Sequence, residues 1–205
     1  MNCAKVKICG ITSLEDAVFA CKAGADALGF VFYEKSPRYI NSEKAREISL
    51  SLPPFVKKVA LFVNKSPKFI NDIMLKTCMD IAQIHFEVSQ EFFKELNCDY
   101  IEVKRIKTKE DIYTIKTNRY ILVDAFVENY GGEGKMINKE WFKEVDCSKM
   151  ILAGGLNENN IKEVQNMGFY GYDVSSGVEK EKGIKDHKKI ENFINLVKNY
   201  DKRLK

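Results

Sequence analysis

The stretch "KVKICGITSLEDAVFACKAGADALGFVF", residues 5–32, contains two strand-like segments separated by a helix-like one. Its first residues alternate between polar and apolar, as in a strand with one buried face. The middle segment has helical spacing, begins with a capping-box pattern at Thr12 and Glu15, and ends at Gly24. The run "ALGFVF", residues 27–32, is almost continuously apolar, which is typical of a strand covered on both sides. The stretch therefore predicts a strand–helix–strand unit with parallel strands.

This unit repeats along the whole chain, and no low-complexity linker interrupts it. Strand signals occur at residues 4–9, 27–32, 56–63, 81–84, 100–104, 120–124, 150–153 and 172–174. Eight strands, each followed by a helical segment, predict an α/β fold: a single (β/α)8 TIM barrel domain over residues 1–205. An open doubly wound sheet is the alternative, but it would more often show G-x-G-x-x-G after the first strand.

Several helical segments have recognisable ends. Ser66 followed by Pro67 predicts a helix start. Asn157 is a candidate cap for a helix that ends at Gly168, and the last helix is expected over about residues 186–202.

Composition excludes several functional classes. The 205 residues include 33 Lys and Arg against 29 Asp and Glu, a net charge of +4 that is too mild to indicate a nucleic-acid partner. Without an export signal or a membrane-length apolar run, we expect a cytoplasmic protein. The six cysteines are scattered and form no C-x-x-C pair, so we expect reduced thiols and no metal site.

Reactive groups of β/α barrels stand where strands end, and here these positions hold Cys9 and Asp124. Strands 1 and 6 lie nearly opposite in a closed barrel, so the two side chains can reach one small substrate. A thiol whose pKa is lowered by cations and a carboxyl whose pKa is raised by burial would serve as base and acid of an isomerisation. The alternatives are a small buried hydrophobe at Cys9 and a cap or ion pair at Asp124.

Glycine-rich turns follow strands 7 and 8, where barrels commonly bind phosphate. The candidate residues are Gly154, Gly155, Ser175, Ser176 and Gly177. The loop "YGGEGK", residues 130–135, includes Gly132 and Gly134 and is expected to be a lid or a further part of the phosphate site.

Three further polar residues follow strand ends or close them. Arg38 either binds a carboxylate or is a solvated surface residue. His85 is either a loop histidine or a site residue, and Asp173 either binds a sugar hydroxyl or anchors a turn.

Six segments together resemble the phosphoribosylanthranilate isomerase family: "KICGIT", "DALGFVFYEKSPRYI", "LFVN", "YGGEGK", "AGGLNENNI" and "YDVSSGVE". The resemblance extends from about residue 5 to residue 187. It implies a β/α barrel without metal or cofactor. It also implies an Amadori rearrangement of N-(5-phosphoribosyl)anthranilate to a 1-deoxyribulose phosphate, a step of tryptophan biosynthesis.

The resemblance also implies residue roles. Cys9 would be the general base and Asp124 the general acid, Arg38 would bind the anthranilate carboxylate, and Asp173 would lie near the ribose hydroxyls. The implied phosphate and remaining substrate contacts are Gly154, Gly155, Ser175, Ser176, Gly177, Gly132, Gly134 and His85.

The sequence departs from the family pattern at two places. Phe86 stands where a glycine usually follows the histidine, and residues 136–140 replace a shorter segment. We expect the first change to affect the backbone at His85, and the second to affect helix packing.

Two competing functions remain. One is a related barrel that acts on another phosphosugar, such as the aminosugar of the histidine pathway. The other is a barrel without turnover, which binds a phosphate ligand or senses redox state through an exposed Cys9. We expect a small-molecule substrate and no nucleic-acid or membrane partner, with a monomer as the default and a homodimer as the alternative.

Overall fold

The computed structural model describes residues 4–115, 118–125 and 138–199. The strands are β1 Lys5–Cys9, β2 Ala27–Val31, β3 Lys57–Phe62, β4 Ile81–Ile84, β5 Asp99–Ile106, β6 Ile121–Ala125, β7 Met150–Leu152, β8 Gly171–Val174, β9 Glu179–Glu181 and β10 Ile184–Lys185. The helices are α1 Leu14–Ala23, α2 Ser42–Leu50, α3 Pro67–Thr77, α4 Gln90–Lys94, α5 Lys109–Tyr113 and α6 His187–Lys198. Three short 3₁₀ helices cover Lys139–Phe142, Ile161–Glu163 and Ser176–Val178.

Strands β1 to β8 form a closed barrel in chain order, and every neighbouring pair is parallel. Closure joins β1 to β8, with Lys7 opposite Asp173. The predicted TIM barrel is therefore confirmed, and the open sheet is excluded. β9 and β10 form a separate antiparallel hairpin that follows β8.

Alternate residues of each strand face the two sides of the barrel wall. The side chains that face outward join the helices in one large apolar core, which includes Ile8, Phe30, Phe62 and Tyr172. A second, smaller apolar cluster contains Val103, Leu122, Ile151 and Ala153. Because Leu122 and Val103 stand two positions before Asp124 and Arg105 on the same strands, this inner cluster lies directly beneath the mouth of the barrel.

The helix signals are confirmed in part, and the first is displaced by one residue. The cap of α1 is Ser13, whose hydroxyl accepts from Asp16 N, so the capping box predicted at Thr12 is wrong. Thr12 instead donates its hydroxyl to Gly183 O at 2.7 Å. Ser66 and Pro67 start α3 as predicted, and Asp186 caps α6.

The helix predicted between Asn157 and Gly168 is wrong in extent. Only Ile161–Glu163 forms a helical turn there, and it is of the 3₁₀ type. The side-chain oxygen of Asn157 accepts from Asn159 N, while Asn157 and Asn160 both donate their amide groups to Gly155 O. These bonds fix an irregular turn after β7 in place of a long helix.

Several large apolar side chains are exposed at the amino-terminal end of the barrel. Phe55, just before β3, is 96% exposed, and Leu75 near the end of α3 is 83% exposed. This end is opposite to the strand termini that hold the candidate reactive groups. Among the described helices, none is long and apolar enough to cross a membrane.

Candidate active site

The end of β1 holds the candidate base. Lys7 and Cys9 face the inside of the barrel, since Val6 and Ile8 pack into the outer core. Cys9 is 5% exposed, and its neighbour on β2 is Gly29. A Cβ atom at position 29 would lie 2.8 Å from Cys9 Sγ and 3.0 Å from Lys7 Nζ. Glycine at this position therefore leaves the space that the thiol and the ammonium group share.

A buried ion pair accompanies the thiol. Lys7 Nζ donates to Asp173 Oδ1 at 2.9 Å, and the two side chains are 6% and 8% exposed. Burial alone would lower the pKa of Lys7, but Asp173 and Cys9 raise it above its ordinary value. Lys7 is thus a permanent cation beside Cys9 at neutral pH.

Burial raises the pKa of the Cys9 thiol above its ordinary value, although the Lys7 cation opposes this effect. The expectation that nearby cations lower this pKa is wrong, because desolvation of the thiolate outweighs the attraction to Lys7. The burial of Cys9 also contradicts the exposed thiol that a redox-sensing barrel requires. The contact with a charged lysine distinguishes Cys9 from an ordinary buried hydrophobe.

The candidate acid stands near the end of β6. Asp124 is paired in register with Arg105 of β5, and 23% of its side chain is exposed. Burial and the Asp173 carboxylate raise the pKa of Asp124 to about 6, against the opposing effects of the Ala125 N–H, Arg105 and Lys7. A carboxyl group with this pKa exchanges protons near neutral pH. The surface ion-pair or cap interpretation does not account for such a shift.

His85 contacts this carboxyl group, with Nε2 at 3.5 Å from Asp124 Oδ2. Burial, with smaller effects of Arg105 and Lys7 in the same direction, lowers the pKa of His85 to about 4. The imidazole is therefore neutral at pH 7, and the contact is not an ion pair. Gln83 Nε2 lies 3.4 Å from His85 Nδ1, so an amide hydrogen donated there would leave the ring proton on Nε2, towards Asp124.

The backbone at His85 is bonded to β3, and Phe86 packs away from it. The backbone N–H of His85 donates to Phe62 O at 3.0 Å, and Phe86 packs edge-on against Phe92 with ring centroids 5.5 Å apart. The Phe86 side chain therefore packs against the outer core, on the helix side of the barrel wall.

Arg38 is buried, 5% exposed, which contradicts the solvated surface interpretation. Its Nε and Nη2 donate to the two carboxylate oxygens of Glu179, both at 2.8 Å. Its stem crosses Gly10, where a Cβ atom would lie 2.6 Å from Arg38 Cδ. The predicted carboxylate fork exists, but its partner here is a residue of the protein.

The turns after β7 and β8 lie against each other. Gly154 and Gly155 have φ of +86° and +63°, and a Cβ atom at Gly177 would collide with Leu156 O. Ser175 Oγ donates to Cys9 O at 3.1 Å, so the second turn also contacts the end of β1. The structure thus brings together both predicted phosphate turns next to Cys9. Ser176 begins the 3₁₀ turn Ser176–Val178.

Two predicted residues lie outside the described part of the chain. Gly132 and Gly134, the rest of the 130–135 loop and the first two residues of the altered segment 136–140 are therefore not placed. Cys9, Cys21, Cys78, Cys98 and Cys147 are free thiols.

Sequence reasoning missed four charged residues of this site: Lys7, Arg105, Glu179 and Lys185. Lys7 carries a usable signal, because it stands two positions before Cys9 and must share its face of β1. Arg105 was missed because β5 extends to Ile106, beyond the predicted end at residue 104. Glu179 and Lys185 lie on a hairpin that no pattern in the sequence predicts.

Comparison with known proteins identifies the family of the chain. Residues 6–196 match the family model for N-(5'-phosphoribosyl)anthranilate (PRA) isomerase. The chain is 54% identical over 194 residues to the N-(5'-phosphoribosyl)anthranilate isomerase of a Nitratiruptor species, covering 95% of this chain and 98% of that protein.

Solved structures give the same result. The phosphoribosyl anthranilate isomerase of Thermotoga maritima superposes with a TM-score of 0.88 at 39% identity, covering 96% of this chain and 99% of that one. A phosphoribosyl anthranilate isomerase in complex with reduced 1-(o-carboxyphenylamino)-1-deoxyribulose 5-phosphate superposes with a TM-score of 0.82 at 38% identity, with the same coverage. The sequence resemblance is thus confirmed over nearly the whole chain, and the protein belongs to the N-(5'-phosphoribosyl)anthranilate isomerase family of aldose–ketose isomerases.

Proposed function

We propose that this chain converts N-(5-phosphoribosyl)anthranilate into 1-(2-carboxyphenylamino)-1-deoxyribulose 5-phosphate in tryptophan biosynthesis, with Cys9 as general base and Asp124 as general acid. Family membership supports the reaction. One observation supports the residue roles. Both groups lie at the mouth of the barrel, and the buried ion pair Lys7–Asp173 affects the pKa of each.

The first proposed step opens the sugar ring. Asp124 donates its proton to the ring oxygen as the bond from that oxygen to C1 breaks. The lone pair of the aniline nitrogen forms the C=N bond, which gives a protonated Schiff base. The substrate nitrogen accepts the positive charge, so the residues need only hold and deliver a proton.

In the second step the Cys9 thiolate removes the proton on C2. The electrons of that C–H bond form a C1=C2 double bond and neutralise the nitrogen. The enolamine becomes the ketone when C1 gains a proton and the C2 hydroxyl loses one. Lys7, next to the sulfur, favours the thiolate that this step requires.

The directions of the two pKa shifts make the productive protonation state a minor one. Near neutral pH, Asp124 with a pKa of about 6 is mostly ionised, and Cys9 with its raised pKa is mostly a thiol. A small fraction carries the reverse arrangement, thiolate with carboxylic acid. That fraction is highly reactive, because a base of high pKa accepts a proton more readily and an acid of low pKa donates more readily.

The remaining predicted residues would bind the substrate. Arg38 would hold the anthranilate carboxylate, and Asp173 would contact a ribose hydroxyl. His85 would hold the acid or contact the sugar. The turns at Gly154–Gly155 and at Ser175–Gly177 would bind the phosphate dianion through backbone N–H groups.

Loss of phosphoribosylanthranilate fluorescence in a purified preparation tests the proposal. Cys9→Ala and Asp124→Asn are each expected to lower kcat/KM by about 100-fold or more, with unchanged circular dichroism. Cys21→Ala, a thiol on α1 away from the barrel mouth, serves as control and keeps the wild-type rate. Near-normal rates in both site variants, or turnover of the histidine-pathway aminosugar alone, would contradict the proposal.

Two other predictions accompany this function. A biosynthetic enzyme of this kind would act in the cytoplasm. We predict a monomer. The exposed side chains of Phe55 and Leu75 are the observation that favours the alternative, a homodimer. Sedimentation equilibrium distinguishes the two states.

A further inference from the structure

A buried cluster of three charged side chains connects the loops at the mouth of the barrel. Glu179 accepts both fork bonds of Arg38, and its Oε1 also accepts from Lys185 Nζ at 2.9 Å. The side chains of Arg38, Glu179 and Lys185 are 7%, 4% and 0% exposed. Lys185 Nζ also donates to Ser175 O at 3.2 Å. One chain of contacts therefore runs from Arg38 to the backbone of the turn after β8.

The hairpin that carries Glu179 and Lys185 is fastened to the loops after β1 and β2. Gly183, at its tip, has φ of +85°, and a Cβ atom there would lie 2.6 Å from Pro37 O. Gly183 O accepts the hydroxyl of Thr12, and Glu179 O accepts from Lys189 Nζ at 2.8 Å. The backbone on both sides of the cluster is thus held in place, and Glu179 has little freedom to follow Arg38 if that side chain moves.

The cluster has more basic than acidic groups, so it could bind a second carboxylate. Arg38 and Lys185 are two basic groups against the single carboxylate of Glu179. A guanidinium has five N–H donors, of which Glu179 takes one on Nε and one on Nη2. Two of the three remaining donors form the Nη1–Nη2 edge, which matches the two oxygens of a carboxylate. A buried ion pair often adds little net stability, because desolvation of the two charges offsets their attraction. We therefore ask whether the cluster orients the guanidinium of Arg38.

We propose that Glu179 and Lys185 are positioning residues that set the substrate's carboxylate subsite at a fixed place relative to its phosphate subsite. Glu179 holds the guanidinium of Arg38 by one edge, so that the other edge meets the anthranilate carboxylate. Lys185 connects this arrangement to Ser175 in the phosphate turn. The inference rests on the proposed function, and it adds a structural basis for selecting anthranilate over an aniline without the carboxylate.

Two ligands that differ only in this carboxylate give the test. The first is reduced 1-(2-carboxyphenylamino)-1-deoxyribulose 5-phosphate, and the second is the same molecule without the ring carboxylate. Their binding to the wild type and to Glu179→Gln is measured by titration calorimetry. The variant is expected to lose about 10- to 100-fold affinity for the first ligand, and to bind the second as the wild type does. Glu181→Gln, an exposed residue of the same strand, is the matched control.

A double-mutant cycle identifies Arg38 as the route of the effect. In an Arg38→Lys background, Glu179→Gln is expected to cause no further loss for the carboxylated ligand, because lysine cannot form the fork. Lys185→Met is expected to weaken competition by inorganic phosphate, whereas Glu179→Gln leaves it unchanged. If Glu179→Gln folds poorly, Glu179→Asp keeps the charge and is expected to show a smaller loss confined to the carboxylated ligand.

Equal losses for both ligands, or no loss for either, would overturn the inference. This result is distinct from failure of the proposed function, in which the wild type itself neither turns over phosphoribosylanthranilate nor binds the reduced product analogue.

Discussion

Lys7 Nζ lies 2.9 Å from Asp173 Oδ1 inside the barrel, and this pair influences both candidate proton-transfer groups. The Asp173 carboxylate raises the pKa of Cys9 and of Asp124, while the Lys7 cation lowers both. The barrel interior thus couples the two ends of the proposed reaction through one ion pair.

The pH profile of kcat/KM is expected to be a plateau with two limbs. Below about pH 6, Asp124 is already protonated and the thiolate fraction keeps falling, so the rate falls. Above the raised pKa of Cys9, the thiol is already ionised and the fraction of protonated Asp124 keeps falling. Between these limits the two changes cancel. Rates measured with the fluorescent substrate check this, and an acid limb well below pH 5 would contradict it.

Lys7→Met is expected to shift the alkaline limb to higher pH and to lower the plateau, because the thiolate loses its neighbouring cation. Leaving Asp173 unpaired would also cost about 3–5 kcal/mol of stability. Lys7→Arg keeps the charge and is expected to restore the limb at least in part. An alkaline limb at the wild-type position in a folded Lys7→Met variant would show that Lys7 does not act on Cys9.

Gly29→Ala would place a methyl group against both Cys9 Sγ and Lys7 Nζ. We expect about 1–3 kcal/mol of destabilisation from overpacking and a loss of about 100-fold in kcat from displacement of the sulfur. Gly168→Ala is the control: position 168 has φ of +78° with no atom within 4 Å, so it costs stability through strain alone. Urea unfolding and turnover of both variants separate the two effects, and full activity in Gly29→Ala would contradict the geometry.

The His85→Asn variant is expected to lose less stability than the wild type when the pH falls from 7 to 4.5. The folded pKa of His85 is about 4, so between pH 6.5 and 4 the unfolded chain binds a proton that the folded chain does not. Stability from this group is therefore lost as the pH falls, by about 2–3 kcal/mol. Asp124 acts in the opposite sense, since its raised pKa favours proton binding by the folded chain below about pH 6. Urea titrations at pH 7 and near pH 4.5 check the difference, and parallel curves for variant and wild type would contradict it.

The barrel was predictable because its strand signals are local. Even the short run Ile81–Ile84 forms β4 with the predicted ends. The region after β7 was not predictable in the same way, since Asn157 and Asn160 bond to Gly155 O and compete with the helix that the spacing favours.

Within the site, the sequence predicted the residues at strand ends. It did not predict the residues whose role is to hold another side chain. Cys9 and Asp124 follow from the rule that barrels react at the ends of their strands. The contact of Arg38 with Glu179 joins positions 141 residues apart. No local pattern encodes such a contact, because it depends on how the hairpin after β8 folds back onto the loop after β2.

The inner cluster of Val103, Leu122, Ile151 and Ala153 has a practical consequence. These aliphatic side chains support the reacting groups from below without donating or accepting protons. Exchanging them for aliphatic residues of similar volume would therefore change the thermal stability of the barrel. The titratable groups above them would stay the same.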